Sequence, residues 1–227
     1  MVEKINKIFK ISIFKAIYYN FFCKNVIRKK GCYIIPFKNL VLDFEKGSKL
    51  FVNSNLHLGI NKLKHSKAET LIRLKKNAIW EANGEVLLFY GTTIEVLCNA
   101  KLISDFFSAN TGSVIIVGKQ ITIGYNAMLG RNIIVYDSDH HQILDYDDGK
   151  TIKNHSQEVI IGDNVWLTNN ITVLKGVSIA QGSIIAAGAL IRKDVVAPNS
   201  LVVGDGKVVN TTALWSRDSL LDYENKQ

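Results

Sequence analysis

The chain has 227 residues, of which 47% are hydrophobic and 21% are charged, with only 2 prolines and 3 cysteines. This composition describes one folded domain with a sizeable core, and it excludes a disordered, collagen-like or disulfide-stapled protein. Because Cys23, Cys32 and Cys98 are irregularly spaced, we expect free thiols in a reducing cytoplasm rather than disulfides or a zinc knuckle.

The net charge of +8 is concentrated towards the N-terminus. Residues 1–76 contain 17 Lys and Arg against 4 Asp and Glu, whereas residues 77–227 contain 11 against 16. A basic end of this kind can face nucleic acid, an anionic membrane surface, or a phosphate-bearing cofactor or substrate. Charge alone does not choose among these partners.

Residues 1–30 predict a basic amphipathic helix. Apolar residues recur at helical spacing among the lysines, namely Ile5, Ile8, Phe9, Ile13, Ile17 and Phe21. Lys10 and Lys15 interrupt the apolar stretch and no small-residue cleavage site follows, so we expect neither a secretory signal nor a membrane span. Three roles stay open for this helix: packing against the main body, lying on a membrane surface, and binding nucleic acid.

A six-residue repeat decides the expected fold. Eight consecutive hexads begin at residues 161, 167, 173, 179, 185, 191, 197 and 203, and seven of them begin with Ile, Leu or Val. Four more begin at residues 117, 123, 129 and 135, and degenerate hexads begin at residues 44, 50 and 56. This period fits neither a helix nor a simple hairpin meander.

Each hexad is interpreted as a short strand followed by a turn, with its first, aliphatic side chain in the interior. Gly162, Asn164, Gly176 and Gly182 would let the backbone turn at little steric cost. Three hexads would form one triangular coil, and coils would stack at the roughly 4.8 Å spacing of neighbouring strands. The ends of such a stack need caps, for which the N-terminal helix and the tail TTALWSRDSLLDYENKQ are candidates.

The chain is accordingly divided into a basic extension at 1–35, a β-helix at 36–210 and a C-terminal tail at 211–227. NKLKHSKAE is interpreted as a loop, and residues 74–110 as further irregular coils rather than a second domain. The hexad starts at 135 and 161 lie 26 residues apart, two more than four periods, so the chain leaves the coil and returns.

This excursion, at about residues 137–160, contains the chain's strongest candidates for catalytic side chains. It is rich in aspartate and histidine, which are not needed to fill a core, and loops on a rigid scaffold are where chemistry is usually placed. The alternative is a solvated acidic loop whose histidines bind nothing.

The hexads resemble those of the hexapeptide-repeat acyltransferases, whose coils form a left-handed parallel β-helix. Asp137, Asp139, His141 and Ile143 match an Asp-x-Asp-x-His type of segment, and residues 161–166 match the sequence Ile-Gly-Asp-Asn-Val-Trp. Both features are typical of sugar O-acetyltransferases, including those similar to maltose and galactoside acetyltransferases and those of surface-polysaccharide clusters. The resemblance implies an all-β, left-handed parallel β-helix with an N-terminal helical extension and a loop excursion that carries the active-site histidine.

By this resemblance, the family's catalytic histidine corresponds to His141 in this chain, with the neighbouring His140 as the alternative. Acyl transfer from a thioester to a sugar hydroxyl needs a base, and imidazole accepts a proton near neutral pH. A carboxylate on the other ring nitrogen would fix the tautomer, with Asp139 as first choice and Glu158 as second. No Ser or Cys stands in a recognisable nucleophile elbow, so we expect direct transfer in a ternary complex rather than an acyl-enzyme.

The resemblance also implies acetyl-CoA as the co-substrate. Trp166 would form a wall of the acceptor or thioester pocket, with packing between subunits as the alternative. The other residues matched to the donor groove are Asn169 and Ala187 along the pantetheine slot, and Arg192, Lys193 and Lys207 at the phosphates.

These features predict an acetyl-CoA-dependent O-acetyltransferase of a sugar hydroxyl in lipopolysaccharide O-antigen or capsule biosynthesis. The resemblance implies a homotrimer with active sites between subunits. We expect a cytoplasmic enzyme whose basic helix contacts the inner membrane face, with a sugar acceptor and neither a metal nor nucleic acid as partner. The alternatives are an N-acetyltransferase of a nucleotide-linked amino sugar, a β-helical carbonic anhydrase, and a non-enzymatic basic binding module. The 5 histidines show no zinc-ligand spacing that would favour the carbonic anhydrase.

Overall fold

The computed structural model describes residues 11–220, which begin with a short helix and continue as β-strands. Helix α1 (Ile13–Ile17) runs directly into a π-helix (Tyr18–Phe22). The strands are β1 Val26–Arg28, β2 Ile34–Pro36, β3 Leu40–Phe44, β4 Lys49–Val52, β5 Leu56–Ile60, β6 Thr70–Leu74, β7 Ile79–Ala82, β8 Val86–Phe89, β9 Thr93–Val96, β10 Lys101–Ser104, β11 Phe107–Ala109, β12 Val114–Val117, β13 Gln120–Ile123, β14 Ala127–Arg131, β15 Ile134–Tyr136, β16 Val159–Ile161, β17 Trp166–Asn169, β18 Thr172–Val173, β19 Ser178–Ile179, β20 Ile184–Ile185, β21 Leu190–Ile191, β22 Leu201–Val203 and β23 Lys207–Asn210. Ile5, Ile8, Phe9 and Lys10 of the predicted helix lie outside the described residues.

The strands form three sheets that the chain visits in rotation. Sheet 1 contains β1, β4, β7, β10, β13, β16 and β19; sheet 2 contains β2, β5, β8, β11, β14, β17, β20, β22 and β23; sheet 3 contains β3, β6, β9, β12, β15, β18 and β21. Strands pair in parallel within each sheet, except that β23 turns back antiparallel against β22. Each circuit is therefore one coil of a triangular prism, and the predicted parallel β-helix is confirmed.

The interior of the prism is aliphatic, and most hexads fill it as predicted. The six hexad starts from Ile161 to Ile191 are at most 1% exposed. The pattern then shifts, because Val195 and Val202 are buried while the predicted starts Ala197 and Val203 are only half-buried. The shift has a simple origin: Leu167 pairs with Ile185, 18 residues later, whereas Ile179 pairs with Val195 and Ile185 with Val202, only 16 and 17 residues later.

The corners of the prism use the turn residues that the sequence indicated, for two different reasons. Asn164, Gly176 and Gly182 adopt left-handed backbone conformations, with φ of 53°, 79° and 71°. Gly162 is not left-handed, and a Cβ there would lie 2.8 Å from the carbonyl oxygen of Ile179. Its missing side chain therefore lets neighbouring coils approach closely.

The helical segment lies on the first coil. The side chain of the buried Asn20 donates a hydrogen bond to the carbonyl oxygen of Ile34 (2.7 Å) and accepts one from the backbone N–H of the same residue (2.8 Å). The ammonium group of Lys15 donates to the carbonyl oxygen of Leu40 (2.5 Å). Polar side chains therefore attach the helix to β2 and β3 at the end of the prism.

The other face of this segment is apolar and open to solvent. The side chains of Phe14, Phe21 and Phe22 are 88%, 65% and 69% exposed. No helix within residues 11–220 has the length and apolar character needed to cross a bilayer.

The remaining irregular segments are loops at the corners. Residues 61–69 form the predicted loop between β5 and β6, and residues 74–110 contain further coils. Parallel pairing already begins at Val26, before the predicted boundary at residue 36.

Candidate active site

The excursion leaves the prism after β15 and returns at β16, at the edge where the chain passes from sheet 3 to sheet 1, here called the 3–1 corner. Asp137 anchors it: the buried carboxylate accepts hydrogen bonds from the backbone N–H groups of Gly118 (2.5 Å) and Lys119 (2.8 Å) in the coil below. The carbonyl oxygen of Asp137 accepts a bond from the N–H of Gln157 (2.9 Å), which ties the exit of the excursion to its entrance. Asp137 therefore has a structural role.

Asp139 organises the backbone next to the histidines. Its carboxylate forms an ion pair with Lys175 and accepts a hydrogen bond from the side-chain amide of Asn154 (2.8 Å). The same amide donates to the carbonyl oxygen of His141 (2.8 Å), and the N–H of His141 donates to the carbonyl oxygen of Asp139 (2.8 Å). Hydrogen bonding to Lys175, and then to Asn154, lowers the pKa of Asp139, so the carboxylate stays ionised at neutral pH.

Both histidines are exposed at the start of the excursion. His140 has a left-handed backbone, with φ of 63°. Neither expected carboxylate accepts a hydrogen bond from an imidazole within residues 11–220, because Asp139 binds Lys175 and Glu158 accepts from the amide of Gln120 (3.2 Å). The carboxylate of Asp139 is instead linked to the backbone of His141 through the side-chain amide of Asn154, which donates to both.

The rest of the excursion is an antiparallel hairpin rather than an open loop. Leu144 pairs with Ile152, and an ion pair between Lys153 and Asp145 closes the arm. The side chain of Tyr146 near its tip is completely exposed, and that of Leu144 is 43% exposed. The arm thus offers apolar surface that the rest of the described chain does not cover.

The residues matched to the donor slot lie on other faces of the prism. Trp166 stands on the outer side of β17 in sheet 2, where its ring packs against Trp215 with 5.9 Å between centroids. Asn169 ends β17, and Ala187 lies one coil above it, at the edge between sheets 2 and 3. The backbone N–H of Gly188 donates to the carbonyl oxygen of Asn169 (3.0 Å), and a Cβ on Gly188 would meet no atom within 4 Å. This edge between sheets 2 and 3, here called the 2–3 corner, therefore has free space on its outer side at Gly188.

The three basic residues matched to the donor phosphates are exposed and lie near the C-terminal end of the prism. Arg192 forms an ion pair with Asp205 (3.4 Å) in the turn between β22 and β23, and Lys207 begins β23. Lys193 occupies the 3–1 corner directly above Lys175, because Val173 pairs with Ile191. The structure thus associates Arg192 with the turn preceding Lys207, whereas Lys193 lies above the excursion.

The C-terminal tail contributes contacts that the sequence analysis missed. It was expected to cap an end of the prism, but its described residues 211–220 run back along the side of sheet 2. The indole N–H of Trp215 donates to the carbonyl oxygen of Asn164 (2.5 Å). The only local signal was a tryptophan and an arginine in an otherwise polar tail.

Arg217 fixes this tail across several coils. Its guanidinium donates to the hydroxyl of Ser108 (2.8 Å) and to the carbonyl oxygen of Ala127 (2.7 Å), and it lies 4.6 Å from the ring centroid of Phe106. Burial lowers the pKa of Arg217, although a guanidinium remains protonated under all ordinary conditions. A charged group thus holds the tail against the sheet that carries Trp166.

Within one chain, the predicted site residues are not brought together. The excursion with His140 and His141 is at the 3–1 corner, whereas Trp166 is on sheet 2, and Asn169 and Ala187 are at the 2–3 corner. Among residues 11–220, no three His, Cys, Asp or Glu side chains are grouped so that they could hold a metal ion.

Comparisons with known proteins identify the fold. No family model matches the chain, and no curated protein matches it significantly. Among solved structures, the polysialic acid O-acetyltransferase OatWY is similar, with a TM-score of 0.61 and 23% identity over 87% of this chain and 94% of that chain. The polysialic-acid-specific acetyltransferase NeuO is also similar, with a TM-score of 0.52 and 20% identity over 90% of this chain and 99% of that chain. The chain therefore has the fold of the hexapeptide-repeat acetyltransferases, the left-handed parallel β-helix that the resemblance to this family implied.

Proposed function

We propose that the protein is an acetyl-CoA-dependent O-acetyltransferase that modifies a sugar hydroxyl of a cell-surface polysaccharide such as O-antigen or capsule. The observation that carries the proposal is the anchored excursion, which presents two histidines on the edge of a β-helix. One protein with this fold is a polysialic acid O-acetyltransferase and another is a polysialic-acid-specific acetyltransferase. Their identity to this chain is low, so the proposal depends on the residues of the site itself.

His141 is proposed as the general base. Its imidazole would accept the proton of the acceptor hydroxyl while that oxygen attacks the thioester carbonyl, and the thiolate that leaves needs little acid assistance. Asp139, Lys175 and Asn154 would act on His141 through its backbone, because their contacts are with its carbonyl oxygen and with each other. They hold the loop so that the imidazole can face the acceptor.

The 2–3 corner is proposed as the donor groove. Ala187 is exposed and small, and neither Gly188 nor Gly204 would clash if it carried a Cβ, so a narrow pantetheine arm has room along this edge. Lys207 and Arg192, near the turn between β22 and β23, supply exposed cations for the phosphates, whereas Lys193 lies at the 3–1 corner and would contribute only from a neighbouring subunit.

A homotrimer is proposed because one chain separates the histidines from Trp166 and the donor corner. A neighbouring subunit could bring its own sheet 2 or 2–3 corner against the excursion. The exposed apolar arm of Leu144 and Tyr146 would then be covered by that subunit.

The enzyme is proposed to work in the cytoplasm at the inner membrane face. Phe14 and Phe22 would enter the interface of an anionic membrane, next to the exposed lysines Lys24, Lys29 and Lys30.

The double variant Phe14→Ser/Phe22→Ser should then sediment less with phosphatidylserine vesicles than the wild type. Tyr146→Ser, which removes an exposed aromatic elsewhere, is the matched control; equal binding by all three proteins would refute membrane contact through the helix.

The proposed reaction is tested by following CoA release from acetyl-CoA in the presence of sugars with free hydroxyl groups and of nucleotide-linked amino sugars. We expect release with a hydroxyl acceptor and an ester product that mild base cleaves. An amide product would identify N-acetyl transfer, and no release with any acceptor would contradict the proposed function.

A further inference from the structure

A column of lysines runs down the 3–1 corner from the excursion towards the N-terminal end. Phe44, Leu74, Val96 and Val117 are register partners in successive strands of sheet 3. The residues two positions further along the chain therefore stack at the corner, and they are Lys46, Lys76, Cys98 and Lys119.

Backbone hydrogen bonds keep this corner in register. The N–H of Asn77 donates to the carbonyl oxygen of Lys46 (3.1 Å), and the N–H of Asn99 donates to that of Lys76 (3.0 Å). Stacked coils are separated by about 4.8 Å, so the column spans about 14 Å from Lys46 to Lys119. Lys119 itself is at the foot of the excursion, because its N–H binds Asp137 (2.8 Å).

The three lysines of the column are exposed, and none has an ion-pair partner within the described part of the chain. Neighbouring cations of this corner are neutralised, Lys75 by Glu45 (2.9 Å) and Lys175 by Asp139. The column therefore presents three ammonium groups without an ion-pair partner among these residues; the carboxylates of Glu45 and Asp137 accept from the backbone N–H groups of Lys76 and Lys119 instead.

A groove lies beside this column and ends at the excursion. Its lining includes Glu45, Lys75, Leu97, Cys98, Ser138 and His140. Its lining contains no Phe, Tyr or Trp, so the imidazole of His140 is the one ring in the lining on which a nucleic-acid base could stack. An elongated ligand in the groove would have one end beside the histidine loop and its length along the lysines.

Resting on the proposed function, we infer that the acceptor is an acidic polysaccharide, with a negative group repeated along the chain, and that it binds along Lys46, Lys76 and Lys119. A small anion would engage one or two of these cations, whereas a polymer of acidic sugars can meet all three. Lys153 forms an ion pair with Asp145, whereas the exposed Asp147 and Asp148 have no ion-pair partner among the described residues, so the arm keeps negative charge that would repel an acidic polymer. The acceptor would thus approach from the coils rather than over the arm.

Binding of polysialic acid to the His141→Ala protein tests the inference without turnover. We expect the additional pair of changes Lys76→Gln/Lys119→Gln to weaken binding about tenfold at low salt and to reduce its salt dependence. The matched control, Lys64→Gln/Lys67→Gln, removes the same charge from exposed lysines of the loop between β5 and β6 and should leave affinity unchanged. Equal weakening by both pairs, equal affinity for neutral dextran, or tighter binding of single-stranded DNA than of polysialic acid would overturn the inference.

Kinetics with an otherwise wild-type protein separate this inference from the proposed function. Lys76→Gln/Lys119→Gln should raise the KM for polysialic acid about tenfold, with kcat and the KM for acetyl-CoA unchanged. A raised KM for acetyl-CoA would mean that the column binds donor phosphates, which contradicts the inference while leaving acetyl transfer intact. Transfer to a neutral sugar alone, with no effect of the lysines, would likewise refute only the acidic acceptor.

Discussion

The position of Asp139 in the sequence does not identify the groups that its carboxylate contacts. An aspartate two positions before a histidine is consistent with a carboxylate on the imidazole, and that was the expectation. The structure instead places Lys175 and Asn154 on this carboxylate. Lys175 is 36 residues further along the chain, and only the next coil, which follows the excursion and stacks above its start, brings it close. A contact of this kind depends on coil register and not on local spacing.

The two adjacent histidines can be distinguished by substitution. His141→Ala should reduce kcat by about 10²- to 10⁴-fold, the usual contribution of a general base, because no other imidazole has its backbone held by Asn154. His140→Ala should remain within a few fold of wild type, and circular dichroism of both variants controls for folding. The reverse ranking would assign the base to His140, and near wild-type turnover in both would refute the histidine mechanism.

The Asp139 ion pair also predicts a pH effect on stability. Because the pKa of Asp139 is lowered in the folded state, its contribution is present above the unfolded value of about 4 and is lost as the pH falls through the folded value. Lys175→Met should therefore reduce the unfolding free energy at pH 7 by at most about 1 kcal/mol and less at acidic pH. Urea unfolding at both pH values measures this, with Lys193→Met, one coil above, as the control. The same loss at both pH values would contradict the ion-pair explanation.

At the scale of elements, the hexads predicted the strands well because each depends only on its neighbours above and below. Ile161 and Leu167 enter the core wherever a coil has regular length. The prediction went out of phase at Ala197, because the last circuit is one to two residues shorter than the 18-residue coil before it, and the apolar pattern does not mark the missing residues. The hairpin of the excursion was not predicted. Its two arms pair through one isolated bridge, between Leu144 and Ile152, and so short a pairing produces no alternating apolar pattern in the sequence.

The tail could not be positioned from its sequence, since its contacts lie far back along the chain. Arg217 meets Ser108, which is 109 residues earlier. Arg217→Ala should lower the free energy of unfolding by about 1–3 kcal/mol, because it leaves acceptors of the buried residues Ser108 and Ala127 without their donor. Arg217→Lys should not restore it, as an ammonium group cannot reproduce the planar set of donors.

Thermal unfolding together with limited proteolysis of the tail measures this effect. Arg192→Ala is the control, since its ion pair with Asp205 is exposed and should contribute little. If Arg217→Ala and Arg192→Ala are equally stable, the tail contacts do not stabilise the prism.

At the scale of the whole molecule, the prism itself separates the parts of the proposed site. A chain that turns through three sheets places successive segments on successive faces, so β15 and β17 cannot share a side. A histidine that follows β15 and a tryptophan on β17 can then meet only across an interface between two copies of the chain. Closed threefold symmetry would repeat that interface three times.

Mixed assemblies test this arrangement directly. His141→Ala and Trp166→Ala should each be nearly inactive alone, whereas co-expression of the two variants should recover about a quarter of wild-type activity. Random trimers explain the fraction, because three quarters of them are mixed and each mixed trimer contains one interface with both residues intact. His141→Ala co-expressed with the double variant His141→Ala/Trp166→Ala is the control and should stay inactive. If the two single variants do not complement each other although mass spectrometry shows mixed trimers, the histidine and the tryptophan do not form one site across the interface.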